Sequence, residues 1–213
     1  MASGILIPNA EQTRLLEGVD WGRYVRLNDE VTSPSIRMAY YCGWLEIMTI
    51  SSGHEDVNWL LGQLFTSLAF AFEIESWSLG SATHRHRMAQ AGFEPDSCFY
   101  VSRFDRIPRQ GVLECPRDPA PDLVIEVDIS RSSLDKLPAY AAVGCRECWR
   151  YREGSVLLYS LEPDAARLVE TSNILPGVTA TDLATLLSLA APGRHLQWTA
   201  MVIEWARSRR AGS

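Results

Sequence analysis

The chain contains no apolar run of the roughly 18 residues needed to cross a bilayer. Its opening, MASGILIPNA, has no basic flank leading into a long apolar region. A membrane-spanning or exported protein is therefore not expected, and a soluble cytoplasmic one is. A disulfide framework is also missing: five cysteines is an odd number in 213 residues, a length that needs no stapling, so reduced thiols are expected. Nor is there a basic excess. Twenty Lys and Arg against 26 Asp and Glu give a net charge of −6, which excludes a sequence-blind nucleic-acid coat protein, because phosphate binding needs a positive surface. It leaves room for a nuclease, whose metal-binding carboxylates add negative charge. No internal repeat or low-complexity segment occurs. The 46% hydrophobic content suits a sizeable core, and the expectation is one domain over 1–213, with a core near 36–160 and a helical extension near 180–210.

Periodicity places the elements. Two alternating segments, Ile36 to Tyr41 and Trp44 to Thr49, flank Cys42-Gly43 and predict a β-hairpin. Ser52 and Glu55 stand at capping-box spacing before Val57, Leu60, Leu61, Leu64, Phe65, Leu68 and Phe72, which recur as on a helix. A strand-like pattern over 77–83 runs into the basic cluster His84-Arg85-His86-Arg87, and a short apolar run over 98–101 follows Glu94-Pro95-Asp96. Residues 103–120, with three prolines and many charges, predict a surface loop. The strongest strand is Leu123 to Val127; Ser130 to Ser133 break it, and a helix from about Asp135 closes at Gly144. Strands are expected at 147–151, 156–160 and 168–170, the first two joined by a Glu153-Gly154 turn, then helices at 181–189 and 196–207. The Trp149 and Tyr151 alternation suggests a sheet packed on a helix. Arg207, Arg209 and Arg210 predict a frayed basic tail.

Two carboxylates stand out by position. Asp96 follows a proline at the head of an apolar strand, and Glu126 ends an otherwise aliphatic one. Carboxylates there are costly unless compensated. A divalent cation is one compensation: hard Mg²⁺ takes one or two carboxylates and keeps water in its other positions. Coordination lowers the pKa of that water and stabilises charge growing on a phosphate. Strand alternation sets Asp128 on the face of Glu126, with the Val127 backbone carbonyl between them as a further oxygen ligand. Lys136, in the first turn of the next helix, can fold back to supply positive charge.

The order Glu94-Pro95-Asp96, Pro121-Asp122-Leu123-Val124-Ile125-Glu126-Val127, Asp135-Lys136-Leu137-Pro138-Ala139-Tyr140 and Gly144 to Trp149-Arg150-Tyr151 resembles the Uma family of restriction endonucleases, within the PD-(D/E)XK nuclease superfamily. Gly43 to Thr49 with His54-Glu55 resembles that family's amino-terminal signature, so the likeness covers roughly 36–160. It implies an α/β (mixed α+β) fold, a restriction-endonuclease-like central mixed sheet flanked by helices, and hydrolysis of DNA phosphodiester bonds with Mg²⁺ or Mn²⁺. Asp96 would match the first acid and Glu126 the second. The departure is at position 128, where the usual lysine is Asp128; Lys136 would be its migrated replacement.

Each assignment has a plainer alternative. Asp96 can cap a turn, Glu126 can pair a buried arginine, and Lys136 can simply be solvated. Glu55 serves as a helix-cap acid or an auxiliary acid, and His54 could meet a phosphate. Glu46 is either a third acid or a paired edge residue. His84, Arg85, His86 and Arg87 form a phosphate-contacting edge or a solvated strand end. The C-x-x-C of Cys145 and Cys148 suggests redox or zinc chemistry in other settings; here it follows a helix end, and two small buried residues account for it. Two further hypotheses stand beside the endonuclease: a catalytically inactive nuclease-fold module binding nucleic acid or protein, and, distantly, a thiol redox protein. Cutting both strands of a duplex would suit a homodimer.

Overall fold

The computed structural model describes residues 12–108, 111–129 and 134–211. The opening decapeptide and the strand break expected at Ser130 to Ser133 lie outside the described residues. Two elements precede those the periodicity indicates: β1 (Gln12–Leu16) and α1 (Trp21–Glu30). The helix starts where Asp20 accepts a hydrogen bond from the Arg23 amide at 2.9 Å. It buries Tyr24 and Asn28, with Trp21, Val25 and Leu27 packed beside them, an inner face at i, i+3, i+4 and i+7 spacing.

The hairpin forms as expected from β2 (Ile36–Tyr41) and β3 (Trp44–Thr49). Both turn residues have positive φ, 46° at Cys42 and 91° at Gly43, which a two-residue connection matched to strand twist requires. Next comes α2 (Ser52–Ala71), whose Leu61, Leu64, Phe65 and Leu68 are fully buried. The capping box is not built from Ser52 and Glu55. Ser51 is the cap and accepts from the His54 amide, while Glu55 stands half exposed, 3.8 Å from Arg37. With serines at both 51 and 52, spacing alone cannot choose between them.

Six strands complete one sheet in the order β12-β11-β10-β9-β7-β4: β4 (Trp77–Gly80), β7 (Ser97–Tyr100), β9 (Leu123–Asp128), β10 (Glu147–Arg152), β11 (Ser155–Glu162) and β12 (Ala165–Val169). It is mixed: β9 and β10 are parallel and the remaining pairs antiparallel. The parallel pair needs a crossover, which contains α3 (Leu137–Val143). This helix starts two residues later than expected, holds Pro138 in its first turn and closes at Gly144 with φ 102°. α3 covers one face with Val124, Cys148 and Leu161. Across the other face lie α2, α4 (Ala180–Ser188) and α5 (His195–Ala211), burying Leu123, Ile125, Val127 and Trp149. Trp149 meets Phe65 edge-on at 5.7 Å, as the strand alternation suggested. The molecule is thus a mixed α+β fold whose mixed sheet is flanked by helices.

A second sheet, β1-β3-β2-β6-β5-β8, adds β5 (His84–His86), β6 (Ala91–Phe93) and β8 (Leu113–Glu114). Here three expectations change. The segment 103–120 is not a plain surface loop, since it contributes β8 and buries Leu113, Cys115 and Asp118. His84 and Arg85 are no solvated or phosphate-facing edge: β5 is flanked by β6 and β8, leaving them 0% and 4% exposed. Arg85 is committed to Asp29 at 2.6 Å and to Asn28, while Arg87 lies exposed in the turn beyond. Finally, the basic tail is not frayed, because α5 continues through it, with Arg209 bonded to Asp182 and Arg210 to Glu73.

His84 stacks on Phe93, and its Nε2 lies 3.0 Å from the Tyr100 hydroxyl. Burial pushes its pKa down to about 4 from 6.5. A depressed folded-state value means stability is present above pH 6.5 and is lost as pH falls toward 4, by up to about 3 kcal/mol. His84→Gln is expected to flatten the melting temperature between pH 7 and pH 5. An unchanged pH slope would show that this imidazole does not titrate with unfolding.

Candidate active site

Concavity does not mark the site. A hollow of ≈ 710 Å³ beside Trp77, Phe104 and Pro108 brings no cluster of titratable groups together. Buried charge does mark one. Glu126, inside an apolar strand, leaves β9 on the α3 face and is 3% exposed. On that face Lys136, just ahead of α3, sets its Nζ 2.7 Å from Glu126 Oε2. One helical turn on, the Tyr140 hydroxyl donates to Glu126 Oε1, as i and i+4 share a face.

Asp96 joins from the entry to β7. The β7 ladder on β9 ends at Ser97 opposite Ile125. The next β9 amide facing that edge, Val127 N–H, donates instead to Asp96 Oδ2 at 2.8 Å, and the Val127 carbonyl shares the edge. His54, in the first turn of α2, places Nε2 3.1 Å from the same carboxylate oxygen. Glu46 completes the group. It is 1% exposed in β3, which lies between β1 and β2 and so is not an edge strand. Its Oε1 is 3.8 Å from Lys136 Nζ, and its Oε2 accepts from Leu134 N–H at 2.9 Å.

Three buried carboxylates therefore share one ammonium. Burial pushes Glu126 up to about 7; Lys136 opposes the rise and the Asp96 charge adds to it. The Lys136 ammonium is held above its ordinary value by Glu126, Asp96 and Glu46, against desolvation, which acts the other way as the largest influence. Buried carboxylate charge of this kind is what a divalent cation would offset. Among the described residues no group of three or more His, Cys, Asp or Glu side chains is arranged to hold a metal. A cation here would rest on two carboxylates, a main-chain oxygen and water, a set that hard Mg²⁺ accepts and tetrahedral Zn²⁺ does not.

Asp96, Glu126, Lys136, Glu46 and His54 thus come together. Asp128 stands beside them, bonded to Arg150 Nε at 2.5 Å. Together with Glu126, Lys136 and Tyr140, these two line a cavity of ≈ 10 Å³. Glu55, Arg85 and Arg87 stay outside the group. Three participants have no role assigned from the sequence: Tyr140 and Arg150, which stand within the motifs that carry the resemblance, and Asn58, whose amide donates to the Asp96 carbonyl at 3.1 Å and accepts from Ser97. One signal was available in composition. Of the chain's 20 basic residues only Lys136 is lysine.

The thiol readings fail. Cys145 and Cys148 are buried, and burial pushes both thiols well above their ordinary value, so neither is a ready thiolate. No helix among the described residues is long and apolar enough to cross a membrane.

A mixed sheet with two acids and a lysine gathered at one strand end describes a nuclease-like α+β protein. A family model described as "Uma2: Putative restriction endonuclease" matches residues 21–194, and the chain belongs to that family. No curated protein matches significantly. Among solved structures, a "putative nuclease belonging to DUF820" from Anabaena variabilis superposes with a TM-score of 0.47, at 16% identity, covering 70% of this chain and 90% of that one.

Proposed function

We propose that the chain is a Mg²⁺-dependent endonuclease that hydrolyses DNA phosphodiester bonds, in the manner of the PD-(D/E)XK superfamily. The observation that carries the reading is the buried cluster of Glu126, Asp96 and Glu46 around Lys136, with His54 on Asp96, a concentration of ionisable groups that is costly to bury. Asp96, Glu126 and the Val127 carbonyl would hold the ion, which supplies an activated water and charge stabilisation at phosphorus. Lys136 steadies the anionic centre, and Asp128 acts at the rim. His54 and the Val127 amide fix the rotamer of Asp96, while Tyr140 fixes that of Glu126. Mn²⁺ would serve in place of Mg²⁺.

The inactive-module alternative leans on the missing lysine at position 128. Lys136, 2.7 Å from Glu126, supports the catalytic reading against it. Cutting both strands of a duplex would take two copies, and size exclusion on DNA tests for a homodimer.

The decisive assay is supercoiled plasmid nicking with Mg²⁺ or Mn²⁺, with EDTA and the double variant Asp96→Ala plus Glu126→Ala alongside. Metal-dependent nicking by the wild type, lost in a folded double variant, is the expected result. Equal cutting by the variant, or no cutting of DNA by the wild type under either metal, would return the module reading.

A further inference from the structure

Resting on the nuclease reading, we infer that Arg150 is a substrate-contacting residue that takes a phosphate at the mouth of the carboxylate pocket, with Asp128 as its positioning partner. Arg150 stands in register with Glu126 on the neighbouring parallel strand, so the two side chains leave the sheet on one face. It lines the same cavity as Glu126 and Lys136.

Size decides where a phosphate can go. The cavity, ≈ 10 Å³, is on the scale of one water molecule, so a phosphodiester stays at its mouth. Lys136 is poorly placed to meet it there, since its side chain is 9% exposed and its ammonium is engaged with Glu126. The Arg150 side chain is 22% exposed. Its Nε is fixed on Asp128, its Nη1 lies 4.0 Å from Asp135, and Nη2 makes no hydrogen bond or ion pair among the described residues. A guanidinium held by Nε keeps terminal N–H groups for a planar, two-point grip on phosphate oxygens. The acid at position 128 then has a purpose: it holds the cation in place over the pocket. A protein of net charge −6 needs such a local positive point where the backbone must approach its acids.

The competing account is a cross-strand ion pair that merely ties β9 to β10. Salt dependence separates the two. Affinity for a short labelled duplex, measured by fluorescence anisotropy in EDTA across a salt series, is expected to drop roughly tenfold in Arg150→Gln, with the log–log salt slope shallower by about 0.9, one phosphate contact. Arg150→Lys keeps the slope. Asp128→Asn, acting through Arg150, raises KM for nicking more than it lowers kcat. In case Arg150→Gln folds poorly with Asp128 left unpaired, Asp128→Asn plus Arg150→Gln removes both charges and is measured in parallel. Wild-type slope and KM in the Arg150 variants, with only the melting temperature lowered, would make the pair a strand tie and overturn the proposal while the nuclease reading stands. A wild type that neither binds nor nicks DNA would end both.

Discussion

Replacing Lys136 with methionine is expected to slow metal-dependent nicking by about 10²–10³-fold, a loss on the scale of removing one preorganised charge from a water-poor site. Two effects combine. The ammonium lies 2.7 Å from Glu126 and 3.8 Å from Glu46, so its loss leaves those acids without their fixed cation and raises the negative charge at the centre that the phosphate must approach. It also frees Glu126, pushed up to about 7 even with the lysine opposing, to rise further and keep its proton at neutral pH, where a protonated carboxyl is a poor metal ligand. Uncompensated acids cost about 3–5 kcal/mol when a buried pair is broken, so the melting temperature falls as well. Single-turnover nicking below that temperature separates the two losses. Arginine is not expected to rescue: the space beside Glu126 holds a compact point charge, and a planar fork has no room against Tyr140 and Leu137. Nicking by Lys136→Arg within a few-fold of wild type would place the needed charge elsewhere.

How much of this was legible without coordinates depends on whether the information is local. The hairpin, the strand at 123–127 and the helix closing at Gly144 follow from alternation, turn residues and a positive-φ glycine, all encoded within a few residues. Lys136 was legible as a candidate because it stands ten residues after Glu126, within reach of a helix folding back. Tyr140, four residues later, follows the same logic, since the i to i+4 relation gives it a face in common with Lys136. The second sheet was not legible. Its β5, β6 and β8 have two or three residues each, too short for periodicity, and Arg85 looks like surface charge until Asn28 and Asp29, 57 and 56 residues away, are brought to it. Arg150 was hidden for the same reason. Its partner Asp128 lies 22 residues off, and only parallel pairing of β9 with β10 makes them neighbours.

Of the chain's three Pro-Asp pairs, at 95–96, 121–122 and 163–164, the first two carry buried acids, and substitution should divide these two cleanly. Asp122→Ala is expected to cost about 4 kcal/mol and lower the melting temperature by roughly 10 °C, whereas Asp96→Asn should remain within about 1 kcal/mol of wild type. Asp122 is fully buried at the start of β9. Its carboxylate accepts from the Val101 and Ser102 amides at 2.9 and 3.1 Å, from the Ser102 hydroxyl, and from Arg103 and Arg146 at 3.2 Å each. It thus anchors the chain leaving β7, and alanine leaves those donors without an acceptor. Asparagine at 96 keeps an oxygen for the Val127 amide but removes the negative charge beside Glu126. Four residues of strand separate Asp122 from Glu126, about 13 Å, too far for both to touch one ion. Nicking measured where both variants are folded should therefore survive in Asp122→Ala and disappear in Asp96→Asn. The reverse pattern would move the metal to the other end of β9 and make Asp122, not Asp96, the partner of the catalytic chemistry.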